Sequence, residues 1–233
     1  MIDIRPFATL GAANHGWLDA RHHFSFADYH DPARMNWGLI RVWNDDAIAP
    51  GTGFAPHSHR DMEIITYVRS GEITHKDSLG NVGRTAAGDV QVMGAGSGVT
   101  HSEYNLEDVE TTLFQIWVHP RSAGGTPHWG ERSFPKADRV GEWSALASGF
   151  GDEGALVINA DARMRGATLM VGQTIDLMVT EGQSAYLVPA SGQILVNGHV
   201  VSVRDGVGLS GGKTYAIEAT EGAELVVVET LAN

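Results

Sequence analysis

The chain has 233 residues, 42% hydrophobic and 19% charged, the balance of an ordinary folded protein rather than a disordered one. Its formal charge of −12, with no cluster of lysine and arginine, excludes a nucleic-acid surface of the usual basic kind. The lack of cysteine excludes disulfides, thiolate metal sites and cysteine nucleophiles, so any metal must sit on nitrogen and oxygen ligands.

The first ten residues are broken by Asp3, Arg5 and Pro6. No later stretch approaches the roughly 18 apolar residues of a spanning helix, so no signal peptide or membrane contact is expected and the cytoplasm is the expected location. Short apolar runs bounded by turn residues follow at 37–42, 63–69, 89–93 and 112–118, and again at 185–188, 194–196 and 224–229. With 29 glycines and little helical periodicity, this pattern predicts an all-β chain. Segment 119–135, with Pro120, Gly124, Gly125, Pro127, Gly130 and Pro135, has linker composition. It divides the chain into units 1–135 and 136–233. Residues 136–148 fit either a short helix or a further strand.

One strand-turn-strand unit is used twice. The first copy runs from Tyr67 through Gly71 and a turn at 78–81 to Gly88-Asp-Val90. The second runs from Tyr186 through Gly192 and Asn197-Gly198, a strong hairpin signal, to Gly206-Val207. Two similar antiparallel barrels in tandem are expected.

His57 and His59 are spaced i, i+2 ahead of strand 63–69, so both imidazoles leave one face of an extended chain. With 11 histidines in the chain, about 0.5 such pairs arise by chance, so this pair alone decides nothing. His101 and Glu103 form a second dyad of the same geometry just past the turn Gly94-Ala-Gly-Ser-Gly98. Two same-face dyads on separate strands can converge inside a barrel. Three neutral imidazoles and one carboxylate leave a divalent ion with one net positive charge and, if six-coordinate, two open positions.

The spacing Gly51-x5-His57-x-His59-x3-Glu63 resembles the first cupin motif, with Gly71 one residue later than usual. The second motif fits loosely: Gly88 and Gly96 are in place, Gly94 stands where cupins have proline, and His101 comes two residues after the expected position, Val99. That displacement is similar to the pirin branch. So are the blocks Phe24-Ser-Phe-Ala-Asp-Tyr-His-Asp-Pro32, Arg41-Val-Trp-Asn-Asp45, His57-Ser-His-Arg60, Thr66-Tyr-Val, His75-Lys-Asp-Ser-Leu-Gly80, Gly88-Asp-Val-Gln91 and His101-Ser-Glu103. They cover roughly residues 20–120.

The resemblance implies two packed cupin barrels, with the metal ligands His57, His59, His101 and Glu103 in the N-terminal one. A typical cupin would use Glu63 as the fourth ligand, but Glu63 lies roughly 13 to 20 Å along an extended strand from the two histidines, whereas Glu103 shares a face with His101. Glu63 is then a carboxylate behind the ligands or an exposed strand residue. Matching offsets in the second unit fall on Met178, Thr180 and Ala219, and His199 sits in a hairpin turn, so one metal per chain is expected. Iron(II) is the expected metal, with nickel, copper, manganese and zinc as alternatives. The resemblance further implies a quercetin 2,3-dioxygenase-like enzyme acting on a small aromatic substrate with O2, Glu103 taking the flavonol proton. The alternative is a redox-sensing regulatory protein without turnover. A monomer is expected, with a dimer as the alternative. Adjacent His22 and His23 point to opposite faces, His75 lies near a hairpin turn, and His15, His30, His119 and His128 read as structural or surface residues. The aromatics Phe24, Phe26, Tyr29, Trp37, Trp43 and Trp117 read as core, with one or two lining a flat pocket above the metal.

Overall fold

A computed structural model describes residues 1–232. The chain forms two packed β-barrels of the cupin type, each made of one seven-stranded and one four-stranded sheet. In the first barrel the large sheet runs, in spatial order, His128–Arg132, Val90–Gly94, Glu63–Ser70, Thr111–Val118, Ile40–Ile48, Leu18–His22 and Gly11–Asn14. The facing small sheet is Gly53–His59, Val99–Tyr104, Glu72–Asp77 and Val82–Ala86. The second barrel repeats the plan. Its small sheet of Thr174–Val179, Lys213–Ala219, Ile194–Val196 and His199–Val201 faces a large sheet carrying Gln183–Ser191, Ala223–Leu231 and Ala162–Leu169.

Period-two alternation decides which side chain goes where. Thr174–Val179 buries every second residue, as a strand with one wet face must. Glu63–Ser70 and Gln183–Ser191 are buried on both faces, because the two large sheets pack back to back. Along Thr111–Val118, Phe114, Ile116 and Val118 enter the seam between barrels with Phe24, Trp43, Tyr67, Tyr186, Val188 and Val228. Leu113, Gln115 and Trp117 point the other way, into the first barrel.

Polar and ionic contacts cross the seam. Arg139, 1% exposed, donates to Glu224 at 3.0 Å and to the Tyr67 hydroxyl at 2.9 Å. The buried Asp45 accepts from Arg69 and from Arg204 of the second barrel.

The repeated unit is visible in the backbone. Gly71 and Gly192 both have φ of +73°, and a Cβ at either would press on the neighbouring chain, at 2.6 Å from Thr111 Oγ1 and 2.3 Å from the Gly222 carbonyl oxygen. Asn197 and Gly198 take φ of 48° and 80°, the two positive values of a type I′ turn, between Ile194–Val196 and His199–Val201.

Two segments differ from the sequence reading. The proline- and glycine-rich stretch 119–135 contains a strand, His128–Arg132, which pairs with Val90–Gly94 and extends the first barrel's sheet. Residues 136–148 hold both a 3-10 turn, Lys136–Arg139, and a strand, Ser144–Ser148. In addition, the first strand of the chain, Ile2–Arg5, pairs with Gly206–Ser210 in the second barrel, and Ile2 and Ile4 pack on that barrel's core.

Candidate metal centre

Gly53–His59 and Val99–Tyr104 are antiparallel neighbours, with His101 directly opposite His57 and Val99 opposite His59. A register shift between His101 and Glu103 marks a bulge, which re-aims the side chains on either side of it. The three imidazoles therefore meet, with ring centroids 4.8 Å (His57–His59), 4.5 Å (His57–His101) and 4.9 Å (His59–His101) apart.

Hydrogen bonds fix which nitrogen of His57 and of His101 faces inward. His57 Nδ1–H donates to the Ala55 carbonyl at 2.8 Å, leaving a lone pair on Nε2. His75 Nε2–H donates to Asp77 at 3.1 Å, so His75 Nδ1 accepts from His101 Nδ1–H at 3.4 Å, and His101 Nε2 also carries a lone pair. His57 Nε2 and His101 Nε2 then face each other at 3.1 Å as two acceptors, while His59 Nε2 is buried with no partner. Burial, reinforced by the neighbouring imidazoles, lowers the His59 pKa to about 4 and that of His101 to about 3. Both rings are thus neutral at pH 7. Two inward lone pairs and a third imidazole whose buried Nε2 has no partner among the described residues fit a divalent transition metal.

Glu103 is buried at 2% exposure and belongs to a second group, with His75 and His101, whose ligand atoms lie within 4.8 Å of one another. Its carboxylate rests on a row of polar side chains that crosses the large sheet in register: His22, Asn44, Gln115, Thr66 and Gln91. Oε1 accepts from Gln91 Nε2 at 2.6 Å and Thr66 Oγ1 at 3.4 Å, and Oε2 from Gln115 Nε2 at 2.9 Å. The amides cannot turn over freely. Thr85 donates to Gln91 Oε1 at 3.1 Å and Trp117 Nε1 to Gln115 Oε1 at 3.2 Å.

Above the row lies a cavity of about 370 Å³ lined by Trp17, Phe26, Phe54 and Trp117, with His57, His59 and Glu103 in its wall. Its surroundings correct several expectations. Glu63 is 2% exposed and belongs to neither ligand group; burial pushes its carboxyl pKa up, and its nearest cationic candidate is His128, 3.9 Å away. His75, read as a turn residue, is fully buried, stacked on Trp129 at 4.9 Å and bonded to His101. The sequence carried a signal for it: His75 and Asp77 are a third i, i+2 dyad, on the strand beside Val99–Tyr104. His22 lines the cavity and His23 the seam, the opposite faces expected of neighbours in a strand. His15 also lines the cavity. In the second barrel Leu177, Val179, Tyr215, Ile217 and Ala219 fill the equivalent interior with apolar core.

The comparisons agree with this plan. Residues 4–118 match the family model described as Pirin, and residues 145–230 that of a quercetinase C-terminal cupin domain. A pirin-like protein of Caulobacter vibrioides is 59% identical over 98% of this chain and 99% of its own length. A Pseudomonas aeruginosa protein, provisionally named quercetin 2,3-dioxygenase, is 58% identical over the same shares. Among solved structures, a bacterial pirin of Escherichia coli in complex with nickel(II) superposes with a TM-score of 0.94 at 35% identity, covering both chains fully. With its two same-face dyads carried on tandem barrels, the chain belongs to the pirin family of cupins.

Proposed function

We propose that the chain is a metal-dependent dioxygenase resembling quercetin 2,3-dioxygenase, opening the central ring of a flavonol with O2 and releasing carbon monoxide. The observation that carries the reading is a cluster of three imidazoles, two of which, His57 and His59, line an aromatic-walled cavity. Names given to relatives point the same way. His57, His59, His101 and Glu103 would hold one divalent transition metal, proposed to be iron(II). When bound, that metal supplies the Lewis-acid and redox chemistry that lets substrate electron density reach dioxygen.

The chain's own residues do the rest. Trp17, Phe26, Phe54 and Trp117 clamp a flat ring system and exclude water from it. Glu103 Oε1 already accepts two hydrogen bonds, whereas Oε2 accepts one. Oε2 is therefore the one atom with an open site, which meets the metal or, where the three imidazoles alone hold it, takes the proton of a substrate hydroxyl. Gln115 and Gln91 hold that carboxylate in place throughout, so it need not reorganise as charge shifts.

Metal-loaded protein incubated with quercetin in air is expected to consume O2 and release carbon monoxide, detected by its binding to haemoglobin. His57→Ala and His101→Ala are expected to lose bound metal in elemental analysis. No turnover with iron, nickel, copper or manganese would sink the dioxygenase reading. Full metal content in both variants would sink the ligand assignment.

A further inference from the structure

One acidic residue stands where the fold calls for an apolar side chain. The same-face row next to the polar one crosses four strands as Ala20, Asp46, Leu113 and Val68. Its other three members are buried apolar residues of one core cluster. Asp46 is 2% exposed, lines the cavity, and its Oδ1 is buried without a hydrogen-bond partner. An unpaired buried polar atom costs about 1–3 kcal/mol, and packing at this position gives nothing to offset that. Beside it, His22 Nδ1–H donates to Asn44 Oδ1 at 2.8 Å, which leaves His22 Nε2 as an acceptor in the same wall. From Gln115, which holds Glu103, Asp46 is one strand over and one rung along, a separation of roughly 8 Å across the sheet.

We propose that Asp46, with the His22–Asn44 pair, is a hydroxyl-recognising subsite that makes the cavity select aromatic substrates carrying a phenolic hydroxyl on the ring turned away from Glu103. The proposal rests on the aromatic-substrate reading above. It is supported by the protonation of the wall. Burial, then the charges of Asp45 and Glu103, hold the Asp46 carboxyl well above the usual carboxylate range, and burial lowers the pKa of His22. A neutral acid and a neutral imidazole suit a phenol, which both donates and accepts. Among the described residues no lysine or arginine lines the cavity, so an anionic group at that end would meet no countercharge. A site built to bond a hydroxyl also discriminates strongly against the analogue that lacks it, because its own polar groups are then left unpaired.

The test compares two 3-hydroxyflavones on metal-loaded protein, one with two hydroxyls on the pendant phenyl ring (quercetin) and one with none on that ring (galangin). Binding is followed by quenching of Trp17 and Trp117 fluorescence. Wild type is expected to bind quercetin about ten- to a hundredfold more tightly. In Asp46→Leu the preference is expected to vanish, with galangin binding retained and the thermal midpoint raised, since an unpaired buried carboxyl has been replaced by a side chain that matches Leu113 and Val68. Equal affinities in wild type, or a preference that survives Asp46→Leu, would overturn the subsite alone. A lowered midpoint with the preference unchanged would show Asp46 to be structural. If neither compound binds wild type, the flavonol reading fails and takes the subsite with it.

Discussion

His101 is held with Nε2 inward by the acceptor for its Nδ1–H, which is His75, itself held by Asp77. His75→Phe keeps a ring to stack on Trp129 and removes the acceptor, so the His101 proton is free to move to the inward nitrogen. Metal affinity is expected to fall about 10- to 100-fold, read by competition with a chromophoric chelator. His23 provides a second test. It is fully buried at the seam, shares a hydrogen bond with the Tyr186 hydroxyl at 2.9 Å, and burial followed by the Arg5 charge lowers its pKa to about 3. The unfolded chain takes up a proton below about pH 6.5 while the native ring stays neutral until about pH 3. Stability is therefore full above pH 6.5 and lost as pH falls through that window, by about 1.4 kcal/mol per unit from this group. Urea midpoints of metal-free protein between pH 7 and 4 are expected to show a slope smaller by about one proton in His23→Gln.

Single residues were legible in the sequence to the extent that their partners were close in sequence. The i, i+2 dyads needed only the geometry of an extended chain, and the cross-strand pairing of His57 with His101 completes them. Asp46 gave no sign, because an acid at one alternate position of a strand is ordinary until the strand's two faces are known to be buried. At the scale of elements, the same limit hid His128–Arg132. Its partner lies more than thirty residues upstream, and its own composition is that of a linker. The hairpin at Asn197-Gly198 needed no partner at all. Gly192 is a test at this scale, since both its φ and the nearby Gly222 carbonyl exclude a side chain. Gly192→Ala is expected to destabilise by about 2 kcal/mol or more in thermal unfolding, with metal content unchanged because the turn is in the other barrel.

The molecule as a whole is held by one shared apolar seam and by charges that span it. Arg139→Met leaves Glu224 in a 6% exposed position, with Lys136 as its remaining cation at 2.8 Å. A loss near the lower end of about 3–5 kcal/mol is expected, measured from the denaturant midpoint. The strand Ile2–Arg5 has a consequence in time. It is made before the barrel it completes, since Ile2 pairs with Leu209. Until residues 206–209 are made this edge has no place to go, and closing so long a loop is slow. The second barrel therefore completes its sheet with a piece that has waited beside the first. A chain cut between the barrels strands that piece on the wrong half.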